Sequence, residues 1–237
     1  MYLSRLALNP RHRQVQRDLA DCHALHRRVL AAFPATNPGA DARAYFGVLY
    51  RLDIDPRSGI PILLVQSRIE PNWQISIADS SLLAADGDQE NPACKSVAAA
   101  FAALTDGMVL RFRLRANPTR RLAIPPGKRV DLRRESDQIA WLHRKGEQSG
   151  FALPPLAANA DVPDLSVVPE GVRSGRRART DGASSNAGAG QMSFGSVVYE
   201  GRLQIVEADR FRQALGAGIG SGKAFGFGLL SVAPDRG

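Results

Sequence analysis

The order of regular segments in the second half of the chain limits its fold most tightly. MVLRFRLRAN (108–117) alternates Arg111, Arg113 and Arg115 with Leu110, Phe112 and Leu114, the period of two of a half-buried strand. From Asp137 to about Gln148, Ile139, Trp141 and Leu142 mark a helix, with Ser136 as its expected N-cap. DLSVVPEGV (164–172) and SFGSVVYEGRLQIV (193–206) read as strands, Glu207 to Leu215 as a short helix, and FGFGLLSVA (225–233) as a last strand. Strand, helix, strand, strand, helix, strand is the split βαβ order of ferredoxin-like folds.

The first half supports a looser copy. YLSRLAL (2–8) is a strand broken by Asn9-Pro10, and a helix from an expected N-cap at Asp18 carries Leu19, Cys22, His26, Val29 and Phe33 before Pro34. Residues 44–54 and 59–69 form a hairpin around Asp55-Pro56-Arg57-Ser58, while KSVAAAFAAL (95–104) fits either a helix or a short strand. The expected fold is α+β, with two tandem ferredoxin-like (βαββαβ) domains at 1–107 and 108–237, a division that 237 residues accommodate. No run approaches the ~18 apolar residues of a membrane helix. The start MYLSRLALNPRHR has a charge inside its short apolar stretch, so a cytoplasmic protein with no membrane partner is expected.

Charge narrows the partner. The formal net charge is +8, and the stretch 111–134 alone holds nine basic residues against Asp131. A second cluster joins Arg173, Arg176, Arg177 and Arg179 between the two predicted strands. Such clusters suit a polyanion, because cations that meet a phosphate backbone release its condensed counterions. A G+C-rich coding sequence accounts for Arg being 27 of 31 basic residues, but not for the clustering. Aromatic residues are only 6%, and no strand carries a pair of stacking aromatics, so recognition through shape and phosphates is expected.

Chemistry has few candidates. Cys22 and Cys94 share no motif, which excludes a disulfide framework and a thiol zinc site. GAGIGSGKAFGFG (216–228) fails the Walker pattern at Ala217 and Ala224 and lacks dinucleotide-fold spacing. Its glycines suit either close approach to a phosphate, beside Lys223, or a tight crossover between a helix and an inner strand. His23 and His26 share a helical face, but with no third ligand nearby in sequence, neither metal nor cofactor is expected. A histidine at a core edge, followed by Arg27 and Arg28, can instead move protons beside a bound phosphate.

Together MYLSRLALNP, DLADCHALHRRVLAAFP, RFRLRANPTRRL, QIAWLHRKGE, YEGRLQI and GIGSGKAFGFGLLSVAP resemble, in order and up to Pro234, the CasE family of CRISPR RNA-processing endoribonucleases from type I-E Cascade complexes. The resemblance implies two ferredoxin-like domains and a CRISPR repeat stem-loop as substrate. It further implies one cut at the 3′ base of the stem and retention of the product with other Cascade subunits. The family's catalytic histidine, last in a Tyr-x-x-His pattern, falls on His26, and its tyrosine position is His23 here. The family's basic hairpin falls on Arg173–Arg179 and its Gly-rich loop on Gly216–Gly222.

The leading expectation is a metal-independent endoribonuclease with His26 as general base or general acid and His23 beside it. Arg27, Arg111, Arg113, Arg115, Lys128, Arg129, Arg173, Arg176, Arg177, Arg179 and Lys223 are the candidate RNA contacts. A non-catalytic RNA-binding subunit is the second expectation, and a general basic protein of ribosomal type the third.

Overall fold

The computed structural model describes residues 1–37, 41–85, 87, 89–123, 129–156, 159–176 and 191–235. In chain order β1 (Tyr2–Ala7) is followed by α1 (Arg13–Ala20), α2 (Cys22–Leu30), α3 (Ala42–Tyr45), β2 (Leu49–Ile54), β3 (Pro61–Ser67), α4 (Trp73–Ser76), β4 (Ala93–Ser96) and α5 (Ala98–Ala102). Then come β5 (Val109–Ala116), β6 (Thr119–Arg121), β7 (Arg129–Asp131), α6 (Glu135–Ser149), β8 (Phe151–Ala152), β9 (Pro155–Leu156), β10 (Asn159–Pro163), β11 (Leu165–Arg176), β12 (Gln191–Ile205), α7 (Ala208–Ala217) and β13 (Leu230–Pro234).

The first sheet runs β2-β3-β1-β4 and the second β11-β12-β5-β13, every neighbouring pair antiparallel. Matched element for element, these are the same order. Each sheet is a ferredoxin-like βαββαβ unit, as the sequence pattern predicts. One face of the first sheet packs Leu6, Tyr50, Leu52 and Val65 against Leu25 and Val29 of α2. In the second, Phe112, Leu114, Tyr199 and Leu203 pack against Trp141, Leu142, Phe211 and Leu215 of α6 and α7. The strands alternate because each sheet has one helix-covered face.

Local differences from the sequence pattern have identifiable causes. The first helix is two helices, broken at Asp21, whose extended backbone (φ −129°, ψ 111°) caps α2. Asp18 is therefore not an N-cap. It lies within α1, 3% exposed, bound to the Arg28 guanidinium. Ser136 does not cap α6, which starts at Glu135 with Arg134 at the N-cap and no side-chain cap bond. The ambiguous stretch at 95–104 spans the end of β4 and all of α5. Residues 225–229 do not join the last strand. A 3-10 turn, Lys223–Phe225, comes first, and Gly226 and Gly228 both have positive φ.

The uncovered faces of the two sheets meet in a polar seam. Arg51, 2% exposed, donates to the carbonyl of Arg113 (3.1 Å) and to Ser231 Oγ (3.0 Å) while its Nε holds Asp53 at 2.9 Å. Arg115 forks onto Glu170 at 2.5 and 2.6 Å and also donates to the carbonyl of Leu52. Gln66 reaches the carbonyl of Leu215 at 2.7 Å, tying β3 to the end of α7.

Candidate active site

Helix α2 carries both candidate histidines. Asp21 Oδ1 accepts from the His23 backbone N–H at 2.9 Å, satisfying an otherwise open donor of the first turn. Leu25 and Val29 face the core, and Arg28 anchors the opposite flank through buried Asp18 and a 2.9 Å bond to the carbonyl of Ser76. With the helix fixed on two sides, His23 and His26 face the turn at Lys223–Phe225. The His26 ring lies 6.4 Å from Tyr50 and 6.3 Å from Phe225, and His23 meets Phe225 edge-on at 4.9 Å.

The second half of the chain completes this site. Tyr50 Oη donates to the carbonyl of Ala224 at 2.7 Å, so β2 holds the 3-10 turn directly. Gly226 lets the backbone pass with φ 86°, and a Cβ there would stand 3.2 Å from the Tyr50 ring. Strand β11 passes equally close to α2: a Cβ on Gly175 would sit 2.4 Å from Cys22 Sγ, inside contact distance. Phe194 stacks on Phe225 at 4.8 Å, closing the apolar floor.

Burial sets the electrostatics. His26 is lowered from 6.5 to about 4, first by desolvation, then by His23 and Arg43, with Asp41 opposing. The imidazole is therefore neutral at pH 7. His26 Nδ1 and His23 Nε2 are buried with no hydrogen-bond partner among the described residues. Both nitrogens are thus free to bond a ligand or a water. Lys223 also titrates below its ordinary value, by burial and then by the nearby charges of Arg43 and Lys145. Among the described residues no group of three or more His, Cys, Asp or Glu could hold a metal ion.

The structure brings only some of the candidate RNA contacts to this site. Arg173 lies half-buried on β11 near Cys22 and Tyr50, and desolvation pulls its pKa down. Lys223 opens the turn beneath the histidines, its Nζ donating to the carbonyl of Ala217 at 2.7 Å. Arg27 is exposed on α2. Arg115 is a correction: its side chain is 4% exposed and committed to Glu170, so it does not face an incoming phosphate. Arg113 binds Asp53 at 3.4 Å and Glu200 at 2.8 Å, and Arg111 lines a separate cavity with Asp164, Glu200 and Asp235. Of the arginine face of β5, Arg115 is sealed where the first sheet covers it and its charge is met by Glu170, Arg113 is shared between Asp53 of the first sheet and Glu200, and Arg111 stays exposed. Arg129 lies exposed on β7. Lys128, Arg177, Arg179 and the Arg176 side chain lie outside the described residues.

Tyr50, Phe225 and Arg43 were not singled out by the sequence. Tyr50 and Phe225 read there as strand residues, and only the contact between the two halves of the chain gives them a role. Arg43 follows Asp41, which caps α3 through a 3.1 Å bond to Ala44 N–H. No sequence signal distinguishes Arg43 from other surface arginines.

The sequence profile of a family described as CRISPR-associated protein matches residues 1–234. The CRISPR-associated endoribonuclease Cse3 of Thermus thermophilus is 35% identical over 237 residues, covering 99% of this chain and all (100%) of that protein. The CRISPR system Cascade subunit CasE of Escherichia coli K12 is 33% identical over 139 residues, 54% of this chain and 59% of that protein. Among solved structures, Cse3 bound to 19 nt RNA superimposes with a TM-score of 0.76 at 35% identity, covering 99% of this chain and 100% of that one. Cas6e from Escherichia coli K-12 superimposes with a TM-score of 0.62 at 26% identity over the same shares of the two chains. With the fold, the whole-length profile and the whole-length relative in agreement, the chain belongs to the family of CRISPR-associated proteins.

Proposed function

We propose that this protein is a CRISPR endoribonuclease that cuts precursor CRISPR RNA at the 3′ base of the repeat stem-loop and keeps the product as a Cascade subunit. The observation that carries the reading is the placement of His26: a half-buried, neutral imidazole on α2 facing the Lys223–Phe225 turn, with Arg43 acting on it, Lys223 in the turn it faces and Arg173 acting on Tyr50, against which His26 stacks. RNA supplies its own nucleophile. Neutral His26 takes the proton of the 2′-hydroxyl, the 2′-oxygen attacks phosphorus, and the bond to the 5′-oxygen breaks. A 2′,3′-cyclic phosphate and a 5′-hydroxyl result, with the leaving oxygen taking up a proton from His23 or solvent. The cations hold the charge that builds on the phosphoryl oxygens. No metal is required in this sequence of steps.

The roles of His26, His23, Arg173 and Lys223 are part of this proposal, as is the division into domains at 107/108. Its compartment is the cytoplasm, where CRISPR transcripts are made, and no helix among the described residues is long and apolar enough to cross a membrane. The test uses a repeat RNA with a 2′-deoxy nucleotide at the scissile position beside the native repeat, both in EDTA. Cleavage of the native RNA alone is expected. Cleavage of both would refute internal attack, and loss of native cleavage in EDTA would refute metal independence.

A further inference from the structure

Beside the histidine site lies a cleft of about 480 Å³ between the β6–β7 hairpin, the last turns of α6 and α7, and the Gly-rich loop. Among the described residues five cations line it, Arg121, Arg129, Lys145, Arg210 and Lys223, and no carboxylate does. Their anchorage is mostly to neutral groups. Lys145 donates to Gln148 at 2.8 Å, Lys223 to the Ala217 carbonyl, and Arg210 to the Glu147 carbonyl at 3.4 Å, besides a 3.1 Å surface pair with Glu207. The C-terminal end of α7 at Ala217 is held by Lys223, which offsets the negative end of the helix dipole.

The like charges are close enough to act on each other. Lys145 titrates below its ordinary value, by burial and then by Arg144 and Arg129, and Lys223 does so by burial, then Arg43 and Lys145. Arg43 also acts on His26. Positive charge therefore runs from Lys223 to Lys145 and Arg129, and Arg43, paired with Asp41 at 3.6 Å, links Lys223 to the neutral His26. Such mutual repulsion is relieved by an anion that spans these charges.

The geometry points to this cleft as the binding site for a single-stranded flank at the base of the RNA stem, held by its phosphates. The assignment rests on the endoribonuclease reading, since it gives the flank its direction away from the scissile phosphate. Three features select the ligand. The volume falls in the range of about 300–1,000 Å³ that suits small ligands, so about one or two nucleotides of a single strand fit and a duplex does not. Among the described residues Trp141 is the only aromatic in the lining, and it is 3% exposed and stacked on Tyr199, so it presents no ring to a base. The turn carrying Lys223 ends at Phe225 under His26, so a strand leaving the histidines meets the cleft at once.

The test is a binding comparison on one protein. A repeat hairpin with a 2′-deoxy scissile nucleotide is prepared with short ends, with a six-nucleotide 3′ extension, and with a six-nucleotide 5′ extension. Wild-type protein should bind one extended RNA about tenfold more tightly than the short one at low salt, with a steeper salt dependence and whatever the sequence of the extension. The double variant Lys145→Ala, Arg210→Ala should lose most of that ratio. The ratio is internal to each protein, so a general loss of fold or hairpin affinity does not imitate the result. Equal binding of all three RNAs by wild type, or a full ratio in the double variant, would overturn the assignment. Wild type that shows the gain but leaves all-ribose RNA uncut would support the cleft and overturn the endoribonuclease reading instead.

Discussion

The His26 ring stands 6.3 Å from that of Phe225, centroid to centroid, where α2 meets the turn before the last strand. One residue belongs to the first ferredoxin-like unit and the other to the loop before the last strand of the second. The site is therefore built by apposition of the two units, and its chemistry depends on their docking as much as on α2.

Replacing His26 by Ala should lower the single-turnover cleavage rate by about 10²–10⁴-fold, the usual contribution of a positioned acid or base. Hairpin affinity, followed by gel shift, should change little, since the neutral imidazole contributes no charge to the phosphates. A variant that cuts at the wild-type rate would remove His26 from the mechanism.

The pH profile follows from burial of the imidazole. Because His26 titrates at about 4, kcat/KM should rise with pH through that value and be flat near neutrality, where an ordinary histidine would still be titrating. Arg43→Ala removes a positive charge that disfavours the imidazolium, so the acid limb should move upward in pH. Stability carries the same sign. Above pH 6.5 the contribution is constant, and as pH falls towards 4 the unfolded chain takes up a proton that the folded one refuses, so stability is lost.

His23→Phe keeps a ring against Phe225 and deletes the imidazole. If His23 chiefly packs there, cleavage should fall by less than about tenfold, far short of the loss at His26. A loss equal to that of His26→Ala, with affinity intact, would instead assign His23 an equal share in proton transfer.

Arg51→Met should destabilise the protein by about 3–5 kcal/mol in urea titrations, because it leaves buried acceptors across the seam without their donor. Activity measured well below the transition should fall as well, since the same seam sets the distance from α2 to the Lys223–Phe225 turn. An unchanged midpoint would show that Arg51 is dispensable to docking.

Much of this was legible from spacing. The alternation in β5 and β12 and the hairpin at Asp55 follow from contacts within a few residues. Asp55 Oδ1 accepts from Ser58 N–H at 2.8 Å, as that turn chemistry requires. His26 was legible as a proton-transfer candidate because a histidine at the edge of an apolar stripe, followed by arginines, is a local pattern. The helix break was not, since Asp18 suits an N-cap equally well and only the buried Arg28 partner decides its place.

Local sequence thus determined the two βαββαβ units and the helix that carries His26, because strand period and helix spacing are properties of neighbouring residues. The tertiary structure decided which cations face solvent and which brace the seam. Arg115 and Lys145 are both basic residues of the second unit, yet one is sealed against Glu170 and the other opens on a cleft. The difference is made by the opposing sheet: a side chain's solvation, and with it the fate of its charge, depends on what packs across from it.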